Sequence, residues 1–237
     1  MIKGSINTIE TMSCTDGPGL RSVVFLNGCP LRCKFCHNPE MLTIKETNTT
    51  PEELVKKLLK NKTYFKNGGV TFSGGEPLIQ DKFLIEVCKL LKKENIHIAI
   101  ETSGNCNYNK ELINLIDLII LDIKHITNKG YIDITTKPID KLLNFIQELN
   151  KSNKDVWITQ VITPNINDSK EYIEELNKFI LNIDDVKKIK FLPYHKLGIE
   201  KYNNLNIPYT LDCESMDSIK CEELYKYLIK LKSDNWL

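Results

Sequence analysis

Cys29, Cys33 and Cys36 stand C-x3-C-x2-C in the run Gly28-Cys29-Pro30-Leu31-Arg32-Cys33-Lys34-Phe35-Cys36-His37-Asn38-Pro39. Three thiolates so spaced on one loop can face a single centre. A structural zinc site closes with four ligands, and His37, next to Cys36, is sterically awkward as the fourth. A 4Fe-4S cube on three cysteines instead leaves one iron without a protein ligand, open to a cofactor or substrate. Three buried, inert thiols are the remaining reading. The other five cysteines, Cys14, Cys88, Cys106, Cys213 and Cys221, make no C-x2-C pair, so nothing in their spacing calls for a second cluster.

Further groups able to do chemistry recur at intervals. Ser73-Gly74-Gly75-Glu76-Pro77 carries paired glycines, which let a backbone approach a ligand closely or simply make a turn. Glu101-Thr102-Ser103-Gly104 and Leu121-Asp122-Ile123-Lys124 each end an apolar run. Asp122 and Lys124, two apart on an extended chain, share a face. They could serve the amine and carboxylate of an amino acid, or pair with each other as a strand-end salt bridge. Phe191-Leu192-Pro193-Tyr194-His195 adds a lone histidine, a residue more often structural than ligand-binding. Thr15-Asp16-Gly17-Pro18-Gly19-Leu20-Arg21 is rich in turn formers.

Positioning these groups falls to a regular series of elements. The patterns predict strands over residues 22–27, 69–72, 96–101, 118–123, 156–162 and 188–192, and helices over 51–64, 81–93, 110–115, 138–150, 169–182 and 218–232. Thr50 and Pro51 suit an N-cap and first helical position. The continuous apolar run 118–121 suits a parallel strand buried on both faces. Strict β/α alternation implies parallel strands with right-handed crossovers, either curled into an open barrel or flat and doubly wound. Both place a ligand site beyond the C-terminal ends of the strands.

The whole chain sets bounds. Its 237 residues, without a Gly/Ser- or Pro-rich linker, read as one domain, 1–237. Lys and Arg total 32 against 31 Asp and Glu, so no basic excess points to nucleic acid. The N-terminus lacks the apolar core of an export signal, and no run could cross a bilayer. A cytoplasmic protein with reduced thiols is expected.

The cysteine loop after a first strand, together with Ser73-Gly74-Gly75-Glu76-Pro77, resembles the radical S-adenosylmethionine (SAM) superfamily. Thr15-Asp16-Gly17-Pro18-Gly19-Leu20-Arg21 and Cys36-His37-Asn38-Pro39 resemble the glycyl-radical-enzyme activases, specifically the short pyruvate formate-lyase activating type without a ferredoxin-like insert. The resemblance implies an α/β fold, a partial (β/α)6 open TIM-like barrel of parallel strands with outer helices. It implies one 4Fe-4S cluster on Cys29, Cys33 and Cys36. It implies SAM contacts at Phe35, His37, Gly74, Gly75, Glu76, Glu101, Thr102, Asp122, Ile123, Lys124 and His195, with no acid–base catalytic residue. A monovalent-cation site at Glu101, Thr102, Asp122 and the Ile120 carbonyl is implied for one branch, whose usual aspartate is Glu101 here. The implied oxidoreductase activity is reductive cleavage of SAM and hydrogen abstraction from a glycine Cα of a partner glycyl radical enzyme. A flavodoxin- or ferredoxin-type electron donor, a monomer, and no nucleic-acid or membrane partner go with it. Members of that type usually place an arginine where this chain has Thr159, so either Gln160 or another group fills that role or the partner protein differs. The rival readings are an enzyme acting on another glycyl radical enzyme, a small-molecule radical SAM enzyme resembling 7-carboxy-7-deazaguanine synthase, and a non-catalytic zinc-binding module.

Overall fold

A computed structural model describes residues 2–234 of the chain. Its strands form one sheet whose spatial order is the order of the chain. β2 (Arg21–Leu26), β3 (Gly69–Gly74), β4 (His97–Thr102), β5 (Leu118–Asp122), β6 (Asp155–Ile162) and β7 (Val186–Pro193) are parallel, the α/β alternation expected. The sequence reading missed β1 (Ile6–Ser13), which pairs antiparallel on the free edge of β2. Most of its side chains are exposed or half-buried, so it lacks the apolar pattern that marks the others.

Helices cover the outer face. α1 (Pro51–Leu59) starts at a capping box in which Thr50 and Glu53 satisfy each other's backbone N–H groups. It is shorter than the predicted 51–64, ending before a separate 3-10 turn, Lys62–Tyr64. α2 (Asp81–Lys93), α3 (Lys110–Leu115), α5 (Asp140–Leu149), α6 (Lys170–Ile180) and α8 (Ser218–Asp234) lie at or within a few residues of the predicted spans. Two short helices were unforeseen: α4 (Asn128–Thr135), capped by Thr127, and α7 (Ile199–Asn204).

The run at β5 shows why both strand faces are apolar. Ile119 and Leu121 enter the main core under the helices, whereas Leu118 and Ile120 join Ala99 and Trp157 in a smaller inner cluster. The sheet is curled. Phe25, Ser73, Glu101, Asp122 and Val161, from five successive strands, line one cavity. On a flat sheet the outer two of those strands would stand about 19 Å apart. Closure is incomplete, for β1 and β7 are not paired. Across the gap Lys190 of β7 donates to the Thr15 carbonyl in the β1–β2 loop.

That loop joins the end of β1 to the start of β2. Arg21 opens β2 fully buried, donating to the Thr71 hydroxyl (2.7 Å) and to the carbonyls of Pro18 (2.9 Å) and Val70 (2.8 Å). Burial brings its pKa down to about 10, which leaves the guanidinium charged at neutral pH. Asp16-Gly17-Pro18-Gly19 wraps this side chain. Gly19 has φ +65°, and a Cβ there would lie 1.9 Å from the Asn67 carbonyl oxygen. The segment is therefore a structural turn around a buried cation. Arg21→Met should take the donor from the buried Thr71 hydroxyl and Val70 carbonyl and cost about 3 kcal/mol. Urea unfolding of the two proteins checks this, and a loss under about 1 kcal/mol would contradict it.

Candidate functional site

The cysteine loop is held along its length, mostly through its main chain. At its start Gly28 N–H donates to the Met41 carbonyl (2.7 Å), and Cys29 N–H to that of Leu42 (3.2 Å). In its middle Arg32 and Lys34 donate to the carbonyls of Thr135 and Ile134 at the end of α4, both at 2.9 Å. At its end the Tyr202 hydroxyl of α7 donates to the Cys36 carbonyl (3.1 Å), and Lys201 bonds Asn38 Oδ1 and Glu40 Oε1. The two helices absent from the sequence reading are thus the ones that clamp this loop.

Paired glycines bring the next loop against it. Glu76 N–H donates to the Gly28 carbonyl at 2.7 Å, and a Cβ on Gly75 would lie 2.1 Å from that oxygen. Gly74 has φ +109°. The close approach that needs glycine here is to the cysteine loop itself.

Together these loops and the strand ends enclose a cavity of about 240 Å³. Cys29, Cys33, Cys36, Phe35, His37, Gly74, Gly75, Glu101, Thr102, Asp122 and Lys124 all line it. Burial pushes the Cys29 thiol up to about 11 and the Cys33 thiol up to about 12, and raises Cys36 too. Metal loading must therefore displace their protons. Among the described residues no three His, Cys, Asp or Glu side chains converge on one ion-sized point. A cube takes each thiolate on a different iron, and sulfurs spread round a cavity suit it.

Charge lies opposite the thiols. Lys124 Nζ meets Asp122 Oδ2 at 2.6 Å, both side chains mostly buried. Burial opposes the Lys124 charge, but Asp122 and then Cys33 more than offset it and hold its pKa above the ordinary lysine value. Asp122 Oδ1 is buried without a partner, an acceptor available to a ligand's ammonium. Glu101 accepts from the Ser73 hydroxyl at 2.6 Å; burial raises its pKa, and Asp122 adds to the rise against the Ser73 bond.

Three predicted contacts sit elsewhere. Glu76 is 1% exposed and lies beneath the cavity, accepting from the Thr102 hydroxyl (2.6 Å) and from Ser103 N–H (2.9 Å) and Oγ (2.7 Å). Ile123 turns its side chain into the main core while its N–H bonds the Thr159 carbonyl. His195 stays exposed at the rim, its ring edge-on to His37 with centroids 4.7 Å apart. Thr102, one of the residues of the expected cation site, donates its hydroxyl to Glu76. Gln160 does not fill the place expected of an arginine: it is fully buried, donating to the Tyr172 hydroxyl of α6 on the helix side of the sheet. Sequence reasoning passed over Phe25, Leu31, Leu42 and Val161, apolar cavity walls that no motif marks.

Residues 23–180 match the family model of the Radical SAM superfamily. The chain is 48% identical to pyruvate formate-lyase-activating enzyme of Clostridium pasteurianum, covering 98% of this chain and 99% of that one. It is 43% identical to pyruvate formate-lyase-activating enzyme of Staphylococcus epidermidis, over 96% of each. Among solved structures, Streptococcus suis SuiB bound to precursor peptide SuiA overlays 90% of this chain and 46% of that one, with TM-score 0.70 and 18% identity, a likeness of fold.

The raised Glu101 pKa fixes the sign of one pH effect. Its charged form is the disfavoured one in the folded chain, so stability is lost as pH rises from the ordinary glutamate value through the raised one. In the cofactor-free protein Glu101→Gln should gain stability over the parent at about pH 8 and little at about pH 4. Urea midpoints at both pH values test this; a gain confined to the acid side would reverse the sign.

Proposed function

The chain belongs to the radical SAM superfamily and, within it, to the family of the pyruvate formate-lyase-activating enzymes, and from that premise we propose that it installs a glycyl radical on pyruvate formate-lyase. The observation that carries the reading is one cavity walled by three thiols on one side and a buried acid–base pair with a spare carboxylate oxygen on the other.

A 4Fe-4S cluster with SAM supplies, when bound, one-electron cleavage of the sulfonium and a carbon radical that takes hydrogen from a glycine Cα, leaving methionine and 5′-deoxyadenosine. The chain's own residues hold and shield. Cys29, Cys33 and Cys36 would hold the cluster through three of its irons, leaving one iron free of protein ligands. Asp122 Oδ1 would accept a hydrogen bond from the amino group of SAM, and Lys124 would pair with its carboxylate. Gly74 and Gly75 offer main chain at the same wall, while Glu76 positions Thr102 and Ser103 from below. Phe35 and His37 flank the last thiolate, with His195 at the rim. Phe25, Leu31, Leu42 and Val161 keep water from the radical's path. A monovalent cation beside Glu101 and Asp122 would relieve their mutual repulsion. A peptide segment would enter between β7 and the β1–β2 loop, the unpaired side of the sheet, where Lys190 bridges to the Thr15 carbonyl.

No helix among the described residues is long and apolar enough to cross a membrane. The proposed setting is the cytoplasm, with a flavodoxin- or ferredoxin-type protein as the one-electron donor.

Anaerobic reconstitution with iron and sulfide, then incubation with SAM, reductant and pyruvate formate-lyase, should give a glycyl doublet by electron paramagnetic resonance. Cleavage of SAM without that doublet would direct the chemistry to another substrate. Cys33→Ala should lose iron, sulfide and the doublet together. Cys106→Ala should keep all three, at about 1–2 kcal/mol of stability for the small cavity it opens. The reverse pattern by iron and sulfide assay would refute the ligand assignment.

A further inference from the structure

The inner wall at the open side of the barrel carries charge that the cluster and SAM leave unused. Trp157 and Thr159 of β6 face Lys188 and Lys190 of β7 in register. The Lys188 and Lys190 ammonium groups lie 4.7 and 5.0 Å from the Trp157 ring centroid. Ala99, Leu118 and Ile120 form a small apolar patch against the same Trp157 ring. Lys190 also reaches across the gap to the Thr15 carbonyl, which occupies one of its three N–H donors. Beside it Thr159 is 4% exposed, and its hydroxyl is buried with no hydrogen-bond partner. A cation with donors to spare thus borders the gap, and an orphaned hydroxyl lies buried in register with it on the neighbouring strand.

Their chemistry suits a main chain. A target glycine has no side chain, so the protein that selects it must read carbonyl oxygens and N–H groups around it. An ammonium donates to the first, and a hydroxyl can accept from the second. We propose that Lys190 and Thr159 bind the backbone of the glycine-bearing segment as it enters between β7 and the β1–β2 loop, with Lys190 setting its affinity. The inference rests on the activase reading above, and it places the cation missing from position 159 on the neighbouring strand.

The test uses reconstituted holoenzyme and a synthetic peptide copying the radical-site segment of pyruvate formate-lyase, with 5′-deoxyadenosine followed against peptide concentration. Lys190→Met should raise the peptide KM about tenfold, the size expected for one charged hydrogen bond, and move kcat less than about threefold. Iron content and SAM affinity should stay at the parent values. Lys190→Arg should restore the KM, and Thr159→Arg added to Lys190→Met should recover most of it by returning a cation one strand away. A KM within about twofold of the parent in Lys190→Met overturns the inference alone. So does a KM rise matched by lost iron or weakened SAM binding, which would mark Lys190 as packing. Absence of any peptide-dependent turnover in the parent overturns the activase reading and this inference with it.

Discussion

Four donors converge on the buried Glu76 carboxylate: the hydroxyls of Thr102 and Ser103 and the N–H groups of Ser103 and Leu78. Its own N–H meanwhile holds the Gly28 carbonyl at the start of the cysteine loop. Burial raises its pKa, and the hydrogen bonds oppose that rise, those of Ser103 and Thr102 first. A single residue therefore joins the loops after β2, β3 and β4 through polar contacts in the interior. Remove it and those donors lose their acceptor in a place water does not reach, so the relative positions of three loops depend on one side chain.

The two ends of the sheet divide the work. At the N-terminal ends Arg21 fills the interior and the Asp16-Gly17-Pro18-Gly19 turn wraps it, an arrangement of stability rather than chemistry. At the C-terminal ends the inward positions change from apolar to polar: Ile120 gives way to Asp122 on β5, and Ala99 to Glu101 on β4. The alternation of strand side chains does this without any special backbone. Inner-facing residues two apart on one strand serve first as packing and then as ligand wall.

Much of this was legible because it is local. The spacing of Cys29, Cys33 and Cys36, the parity of Asp122 and Lys124, and the apolar run of β5 each reflect neighbours along the chain. What escaped was set by distant partners. β1 shows little burial because it borrows its order from β2. α4 and α7 are short, and their value lies in meeting the cysteine loop, which no window of sequence can display. Glu76 reads as one member of a ligand motif, yet its carboxylate turns away to residues 26 and 27 positions later. Gln160 reads as the neighbour best placed to replace an arginine, and one step of strand parity sends it to the other face.

The clamp on Cys36 has a consequence for biogenesis. Its partner, the Tyr202 hydroxyl, is 166 positions downstream, and the Lys201 contacts with Asn38 and Glu40 are nearly as remote. On a ribosome the N-terminal thiols emerge long before α7 does, and such long-range closure is slow to form. The end of the nascent loop therefore lacks its clamp until α7 has been made, while its start and middle can close earlier on Met41, Leu42 and α4, so the Cys36 end is the last part of the cluster site to be fixed.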